Sequence, residues 1–311
     1  MDELSEWDVI VVGGANTDYL VRGPNLPAAG ETVHGDTFQE GPGGKGANQA
    51  VAAARLKATV AFIACVGTDS RGDKLLEALA AEGVGTQYVR RTATAPTGVA
   101  LVHLETGGQK QILVAPGANQ ELLVADVLAA TEALARTRVL LTQLEVPLPA
   151  IMTAMRLAQQ SGAQIILDAA PPVEVPDELL QMVDVLRANT DEAEQLTGIK
   201  PQDRESARQA IGVLRQRGVN VAIVPVGSEG NLLVGPEGEQ WLPLLEVNTV
   251  DTTGAGDAFA GALAVALAEG WPLEKASPFA NSAAALATTE IGAQPSLPRR
   301  DEVDALLEQQ E

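Results

Sequence analysis

A chain of 311 residues carrying 21 Lys and Arg against 41 Asp and Glu, net −20, lacks the basic face that nucleic acid or an anionic membrane demands. One cysteine excludes an intrachain disulfide, and two histidines argue against a His-rich metal site or a Ser-His-Asp triad. The length suits one large α/β domain with an appendage, or about two domains, and with aromatics at 3% the core falls to Ala, Leu, Val and Ile.

The acidic start, Met1 to Glu6, reads as no signal peptide, and with the lone thiol it suits a reducing cytoplasm. Asp8 to Gly13 reads as a buried strand. Asn16 and Asp18 follow it, at the strand end where open α/β sheets bind ligands. Two residues apart on an extended segment, they can face one side and bond vicinal hydroxyls, although turn chemistry explains them equally well. Residues 15–45 then break the rhythm, with Pro24, Pro27 and several glycines, and between Glu31 and Glu40 only Val33 and Phe38 look buried. His34 and His103 read as ordinary strand residues.

Gly41-Pro42-Gly43-Gly44-Lys45-Gly46 matches Gly-x-Gly-x-x-Gly, with Asp69 about where a ribose-binding acid stands in a dinucleotide fold. No buried strand precedes it, as that fold requires. Lys45 is followed by Gly46 rather than Ser or Thr, so it is no Walker A loop either. A polar ligand clasped by Gly amides, Lys45 and Asn48 fits better, with an ordinary turn as the plain alternative.

Thr59 to Val66 is a buried strand holding Cys65 as a small hydrophobe. Thr97 to Leu104, a Gly107-Gly108 turn and Gln111 to Val114 spell a β-hairpin. Strands without helices inside an α/β chain suggest a small separate sheet, read as a lid over 15–45 and 95–118; an edge extension of the main sheet is the alternative. The main domain then takes 1–14, 46–94 and 119–311.

Val139 to Thr142, Gln164 to Asp168, Val183 to Leu186 and Val221 to Val226 are continuous and β-branched, as strands buried on both faces are. Pro147 and Pro149 can open a helix, and Ala207, Ile211 and Leu214 line one face of another. The expected architecture is α/β, a doubly wound, mostly parallel sheet flanked by helices. Glu145 and Asn189-Thr190-Asp191-Glu192 follow strands in the same topological position as Asn16, and the latter also reads as an N-cap with first-turn acids.

The strongest local signal is Asp251-Thr252-Thr253-Gly254-Ala255-Gly256-Asp257, between a strand-like stretch (Trp241 to Val247) and an apolar helix. The run Ala258 to Ala268 is too short to cross a bilayer. Gly254 and Gly256 let backbone pass close to a ligand. Bare amides at the helix start and the positive end of its dipole make an anion site. Asp257 beside it is a first-turn stabiliser or a base that takes a proton from a hydroxyl attacking a phosphoryl group.

These motifs occur in the order and spacing of the ribokinase family of carbohydrate kinases, and the chain resembles that family from about residue 8 onward. Gly43 to Gln49, Leu144 to Leu148 and Gly292 to Ser296 narrow the likeness to its ribokinase branch, away from fructokinases and adenosine kinases. The resemblance implies a doubly wound domain with a β-sheet lid that also forms the contact of a homodimer. It implies ATP-dependent phosphorylation of D-ribose at O5, with 2-deoxyribose or another small sugar or nucleoside as the alternative. Asn16, Asp18, Gly44, Lys45, Asn48 and Glu145 would bind the sugar. Asp257 would be the base, and Gly254, Ala255 and Gly256 would form the anion hole. Asn189, Pro225, Gly227, Ser228, Gly230, Gly256 and Asn281 would hold ATP, and Glu192 would order Mg²⁺ through waters. Asp251, Thr253, Ala287, Glu290, Gly292 and Ser296 would bind K⁺. Pro225 stands where relatives commonly have Thr, and Glu290 where the residue is usually basic. Apart from the resemblance, two readings compete: an NAD-linked oxidoreductase built on Gly41 to Gly46, and a silent sugar-binding protein.

Overall fold

The chain begins with β1 (Trp7–Val12), crosses to a small sheet as β2 (Asn16–Gly23) and β3 (Thr37–Gly43), and returns through α1 (Lys45–Arg55). It continues as β4 (Val60–Gly67), α2 (Ser70–Ala81) and β5 (Gly85–Thr92), then crosses again as β6 (Gly98–Glu105) and β7 (Lys110–Ala115). Two short helices, α3 (Val124–Ala129) and α4 (Thr131–Leu134), lead to β8 (Thr137–Thr142), α5 (Leu148–Ser161), β9 (Gln164–Asp168), α6 (Asp177–Leu180) and β10 (Val185–Arg187). There follow α7 (Thr190–Thr197), α8 (Arg204–Gln216), β11 (Val221–Val226), β12 (Gly230–Gly235) and β13 (Gly238–Pro243). The chain ends with α9 (Ala255–Ala268), α10 (Leu273–Leu286), α11 (Ala293–Ser296) and α12 (Arg300–Glu308). This computed structural model describes residues 7–106 and 109–310. The acidic start and the Gly107-Gly108 turn lie outside the described residues.

The large sheet has nine strands in the order β13-β12-β11-β10-β9-β8-β1-β4-β5. Only β12 runs against the rest, antiparallel to both β11 and β13; the other pairings are parallel. Helices cover both faces, as an all-buried parallel sheet demands. One core layer packs α1, α2, α9, α10 and α12 against Val9, Val11, Phe62 and Leu141. The other packs α3 to α8 against Ile10, Val12, Ile63 and Leu140. Alternate residues of each strand thus enter opposite layers. Helix α9 is apolar all round because it is buried all round, between α1 and α10. From β1 the chain moves to β4 on one side and later returns to β8 on the other. A crevice opens at such a switch point, at the carboxyl ends of the strands. Among the described residues no helix is long and apolar enough to cross a membrane.

The small sheet has the order β3-β2-β6-β7, with β2 and β6 parallel. The hairpin of β6 and β7 therefore joins β2 and does not extend the edge of the large sheet. Asp18, Leu20, Ala100 and Val102 share its inner face, and Leu20, Ala100 and Val102 pack with Ile291. Two expectations change here. Phe38 is 62% exposed, on the outer face beside Tyr19, because this sheet buries one side only. His34 lies in no strand; after Pro24 and Pro27 the chain stays irregular until β3, whereas His103 does lie in β6. Two strand boundaries also move. The strand before the glycine loop spans 238–243 rather than 241–247, ending at Pro243, which has no N–H for a ladder. The stretch from Val183 becomes a strand only at Val185.

Candidate active site

Polar residues from six elements meet at the switch point. Gly254 caps α9 in a left-handed conformation, which places Asp257 in the first turn. Asp257 is buried and bonded on both oxygens: Asn48 Nδ2 donates to Oδ2 at 2.9 Å and Gln49 Nε2 to Oδ1 at 3.0 Å. The same Gln49 NH₂ donates to Asp168 Oδ2 at 2.8 Å, at the end of β9. Two carboxylate acceptors fix the orientation of that amide, and its oxygen accepts from Gln143 Nε2 at 2.5 Å. Asp168 Oδ1 in turn accepts from Arg187 at 2.9 Å, at the end of β10. The Asn48 amide oxygen is buried with no partner.

Around this chain the predicted sugar-site residues converge. The Lys45 backbone N–H donates to Glu145 Oε2 at 2.9 Å. Asp18, on the inner face of β2, is close enough to Glu145 and Asp257 to feel both charges. Asn16 Oδ1 accepts from Asn119 Nδ2 at 2.8 Å.

So much buried acid perturbs itself. Burial, reinforced by Glu145 and Asp257, raises Asp18 to about 7. Burial raises Glu145 to about 7 as well, against the pull of Lys45. Burial also raises Asp257, while Lys45 and the Asn48 and Gln49 hydrogen bonds restrain it. Burial works against the Lys45 cation too, but the carboxylates of Asp257, Asp168, Glu145 and Glu192 prevail and hold its pKa above the ordinary value.

Next to the start of α9 lies a cavity of 340 Å³. Ile223, Leu244, Val247 and Phe259 give it apolar walls; Arg187, Thr252, Gly256 and Asn281 give it a polar end. Asn281 Nδ2 donates to the Pro243 carbonyl at 2.8 Å. Pro225, Gly227, Ser228 and Gly230 lie in and beside the turn from β11 to β12, outside this lining. Pro225 is tolerated there because β10 pairs with β11 only as far as Ile223. Asn189 and Glu192 form a reciprocal capping box: Asn189 Oδ1 accepts from the Glu192 N–H at 2.9 Å, and Glu192 Oε2 accepts from the Asn189 N–H at 2.7 Å.

Beyond the glycine loop, Asp251 Oδ1 accepts from Thr253 N and Oγ1 at 3.0 and 2.7 Å, and Oδ2 from Gly292 N at 3.0 Å. Burial opposes the Asp251 charge, but these donors outweigh it and hold the carboxyl below its ordinary value. Ser296 Oγ is 3.5 Å from the Thr253 carbonyl. Ala287 ends α10, and Glu290 lies in the connection to α11. From the small sheet, Lys110 Nζ donates to Thr253 Oγ1 at 3.0 Å.

Sequence reading missed Gln49, Asp168, Arg187, Asn119 and Gln143. Asp168 and Arg187 carried a usable signal: each is the charged last residue of a largely apolar strand, at the same carboxyl end beyond which Glu145 lies. Asn119 and Gln143 carried none.

A sequence profile of pfkB family carbohydrate kinases matches residues 7–300. The chain is 37% identical over 298 residues to a ribokinase of Haemophilus influenzae, covering 96% of this chain and 97% of that one. It is 33% identical over 301 residues to a deoxyribokinase of Salmonella typhi, covering 96% and 98%. The solved structure of Arabidopsis thaliana ribokinase complexed with ribose and ATP superposes with a TM-score of 0.87 at 35% identity, over 97% of this chain and 98% of that one. With the expected fold and motifs in place along its length, the chain belongs to the pfkB family of carbohydrate kinases.

Proposed function

We propose that this kinase transfers the γ-phosphoryl group of ATP to O5 of D-ribose. The observation that carries the reading is Asp257: a buried carboxylate, its pKa raised toward the working range of a base, set between a polar cleft and the cavity at the start of α9. The Arabidopsis relative complexed with ribose and ATP supports the pairing of substrates.

Asn16, Asp18, Gly44, Lys45, Asn48 and Glu145 take the sugar. Asn16 Oδ1 is already occupied by Asn119, so its NH₂ is left for a hydroxyl. The unpartnered Asn48 oxygen is a ready acceptor, and Asp18 accepts from vicinal hydroxyls. The adenine lies against Ile223, Val247 and Phe259, with Asn281 at the polar end. Asp257 takes the O5 proton while the amides of Gly254, Ala255 and Gly256 receive the developing phosphoryl charge. Asn189 and the Pro225 to Gly230 turn flank the nucleotide.

No group of three or more His, Cys, Asp or Glu gathers as a ligand set among the described residues. That suits Mg²⁺, which keeps its waters and enters with the ATP phosphates, and Glu192 would order those waters. Bound Mg²⁺ supplies charge neutralisation on the phosphates.

The carboxylate of Asp251, the hydroxyl of Ser296 and the carbonyls of Thr253, Ala287, Glu290 and Gly292 suit K⁺. At equal ionic strength, turnover should be severalfold faster in K⁺ than in Na⁺; equal rates in K⁺-free protein would reject the assignment.

Residues 15–45 and 95–118 act as a lid, and the lid joins two copies of the chain. Val21, Phe38, Leu101 and Leu113 are exposed on its outer face, with Leu113 at 70%. A contiguous apolar face of this kind marks a contact. Light scattering should give twice 32.3 kDa, and Phe38→Glu with Leu113→Glu should halve it. A wild-type monomer would refute the lid contact. The lone buried thiol suits the cytoplasm, where we place the enzyme.

A sugar panel with ATP and K⁺ tests the substrate. The kcat/KM for ribose should exceed that for 2-deoxyribose by about a hundredfold, since buried groups built for a hydroxyl reject its absence. Preference for 2-deoxyribose would move the chain toward its Salmonella typhi relative, and no ADP release with any sugar would refute the kinase reading.

A further inference from the structure

Arg187 takes no part in the residue set implied by the family resemblance, yet it sits between the cavity and the glycine loop. It ends β10, beside Asp168 at the end of β9, in direct register. One amino group, Nη1, donates to Asp168 Oδ1 at 2.9 Å. Asp168 is fully buried, so this pair is fixed from behind. Nη2 and Nε have no protein partner among the described residues, and the guanidinium lines the cavity together with Gly256 and Asn281.

Its distance from the loop is short. A Cβ on Gly256 would lie 2.7 Å from Nη1 and 3.0 Å from Nη2. Any other residue at 256 would push the guanidinium away, so glycine here admits a cation to the edge of the bare amides. Asp168, Glu192 and Asp257 surround the cation and keep it charged despite burial.

We propose that Arg187 is a catalytic residue, whose open Nη2 and Nε edge holds an oxygen of the phosphoryl group as it passes from ATP to the sugar. This rests on the kinase reading above. In that step the sugar O5 forms a bond to Pγ, and the O5 proton passes to Asp257. The bond from Pγ to the bridging oxygen breaks, and its electron pair leaves with ADP. Charge spreads over the equatorial oxygens of the phosphoryl group, and a planar fork is well shaped to hold it. Asp168 fixes the fork from the far side, and Gln49 ties Asp168 to Asp257. Base and cation therefore share one rigid support.

The test is single-turnover phosphorylation by wild type and Arg187→Met, with titration of ADP in the presence and absence of aluminium fluoride and ribose. The rate should fall about a hundredfold or more, since an arginine at this step is worth that much or beyond. Affinity for ADP alone should change little, while the tightening that aluminium fluoride gives wild type should vanish. Arg187→Lys, which keeps the charge and loses the fork, should fall between the two. Because Arg187→Met leaves Asp168 buried without its partner, Arg187→Met combined with Asp168→Asn is measured alongside. It should be equally slow and as well folded as wild type. Single-turnover rates within threefold of wild type, or a raised KM for ATP at unchanged rate, would overturn the inference while leaving the kinase reading intact. A wild-type protein that releases no ADP with any sugar would sink both.

Discussion

Asp257→Asn should lower kcat at least about a hundredfold, the lower bound for losing a general base, while leaving the fold in place. The side chain is nearly isosteric, and its surroundings can adapt. Gln49 is held by Asp168 and cannot turn, so the new NH₂ must face Asn48. Asn48 has a buried oxygen without a partner, and a flip of its amide presents that oxygen as an acceptor. The exchange thus replaces one hydrogen bond with another and removes a charge that burial disfavours. KM for the sugar should move little, which separates loss of a base from loss of binding. Circular dichroism and melting checks the fold; turnover near the wild-type value would reject Asp257 as the base.

Asp18→Asn should separate stability from activity. In the wild-type protein burial lifts Asp18 to about 7, from an ordinary value of 3.8. The folded state therefore holds this proton more tightly than the unfolded chain does. Its contribution is fully present below the unfolded value and is lost as pH rises toward 7. Glu145, lifted to about 7 beside it, acts in the same direction. The ligand-free protein should melt at a lower temperature at pH 8 than at pH 5.5. Full burial would be worth about 1.4 kcal/mol per pH unit, and partial exposure to the cleft should reduce the total to about 1–2 kcal/mol. Asp18→Asn should recover that amount at pH 8, a rise of about 2 °C or more in Tm. The same change should lower kcat/KM for ribose by about a hundredfold, because the acceptor proposed for two hydroxyls would become partly a donor. A variant that is both less stable at pH 8 and fully active would contradict both halves of the argument. Acids raised by burial reduce the stability of the empty protein at neutral pH, and on the proposed reading the sugar's hydroxyls would relieve them.

Much of this was legible from the chain alone. Strands β1, β4, β8, β9 and β11 are continuous β-branched runs, and such runs have one plausible home, a sheet covered on both faces. Strand β5 was not legible: at the edge of the large sheet it runs Tyr88-Val89-Arg90-Arg91, neither a continuous apolar run nor an alternation, and an edge strand need not be apolar throughout. Phe38 misled because an aromatic in a polar stretch looks buried, whereas it stands on the outer face of a one-sided sheet. At the site, the glycine loop and Asp257 announced themselves through spacing. Asn119 could not, since its partner Asn16 is 103 positions away and no local pattern encodes such a bond. Arg187 carried a signal of position as the charged last residue of β10, but its pairing with Asp168 showed only once β9 and β10 lay side by side.

The chain passes between the two sheets four times, and all four passages meet at one point. Asn119 accepts from the Ala15 N–H at 2.9 Å and donates to Asn16 Oδ1 at 2.8 Å. Gly44, with φ of 88°, lies so close to Ala15 that a Cβ would come within 2.7 Å of its Cα. The Ala118 N–H donates to the Pro96 carbonyl at 2.8 Å. On the lid reading this junction would serve as the hinge, with Lys110 on Thr253 and Leu20 against Ile291 among the contacts that hold the plate down on the large domain. Asn16, beside the hinge, would then move little and Asp18 only slightly farther, which would keep the proposed sugar contacts together. Phe38, paired with Val21 farther along the plate, would travel farther, on the face where the proposed second copy would sit.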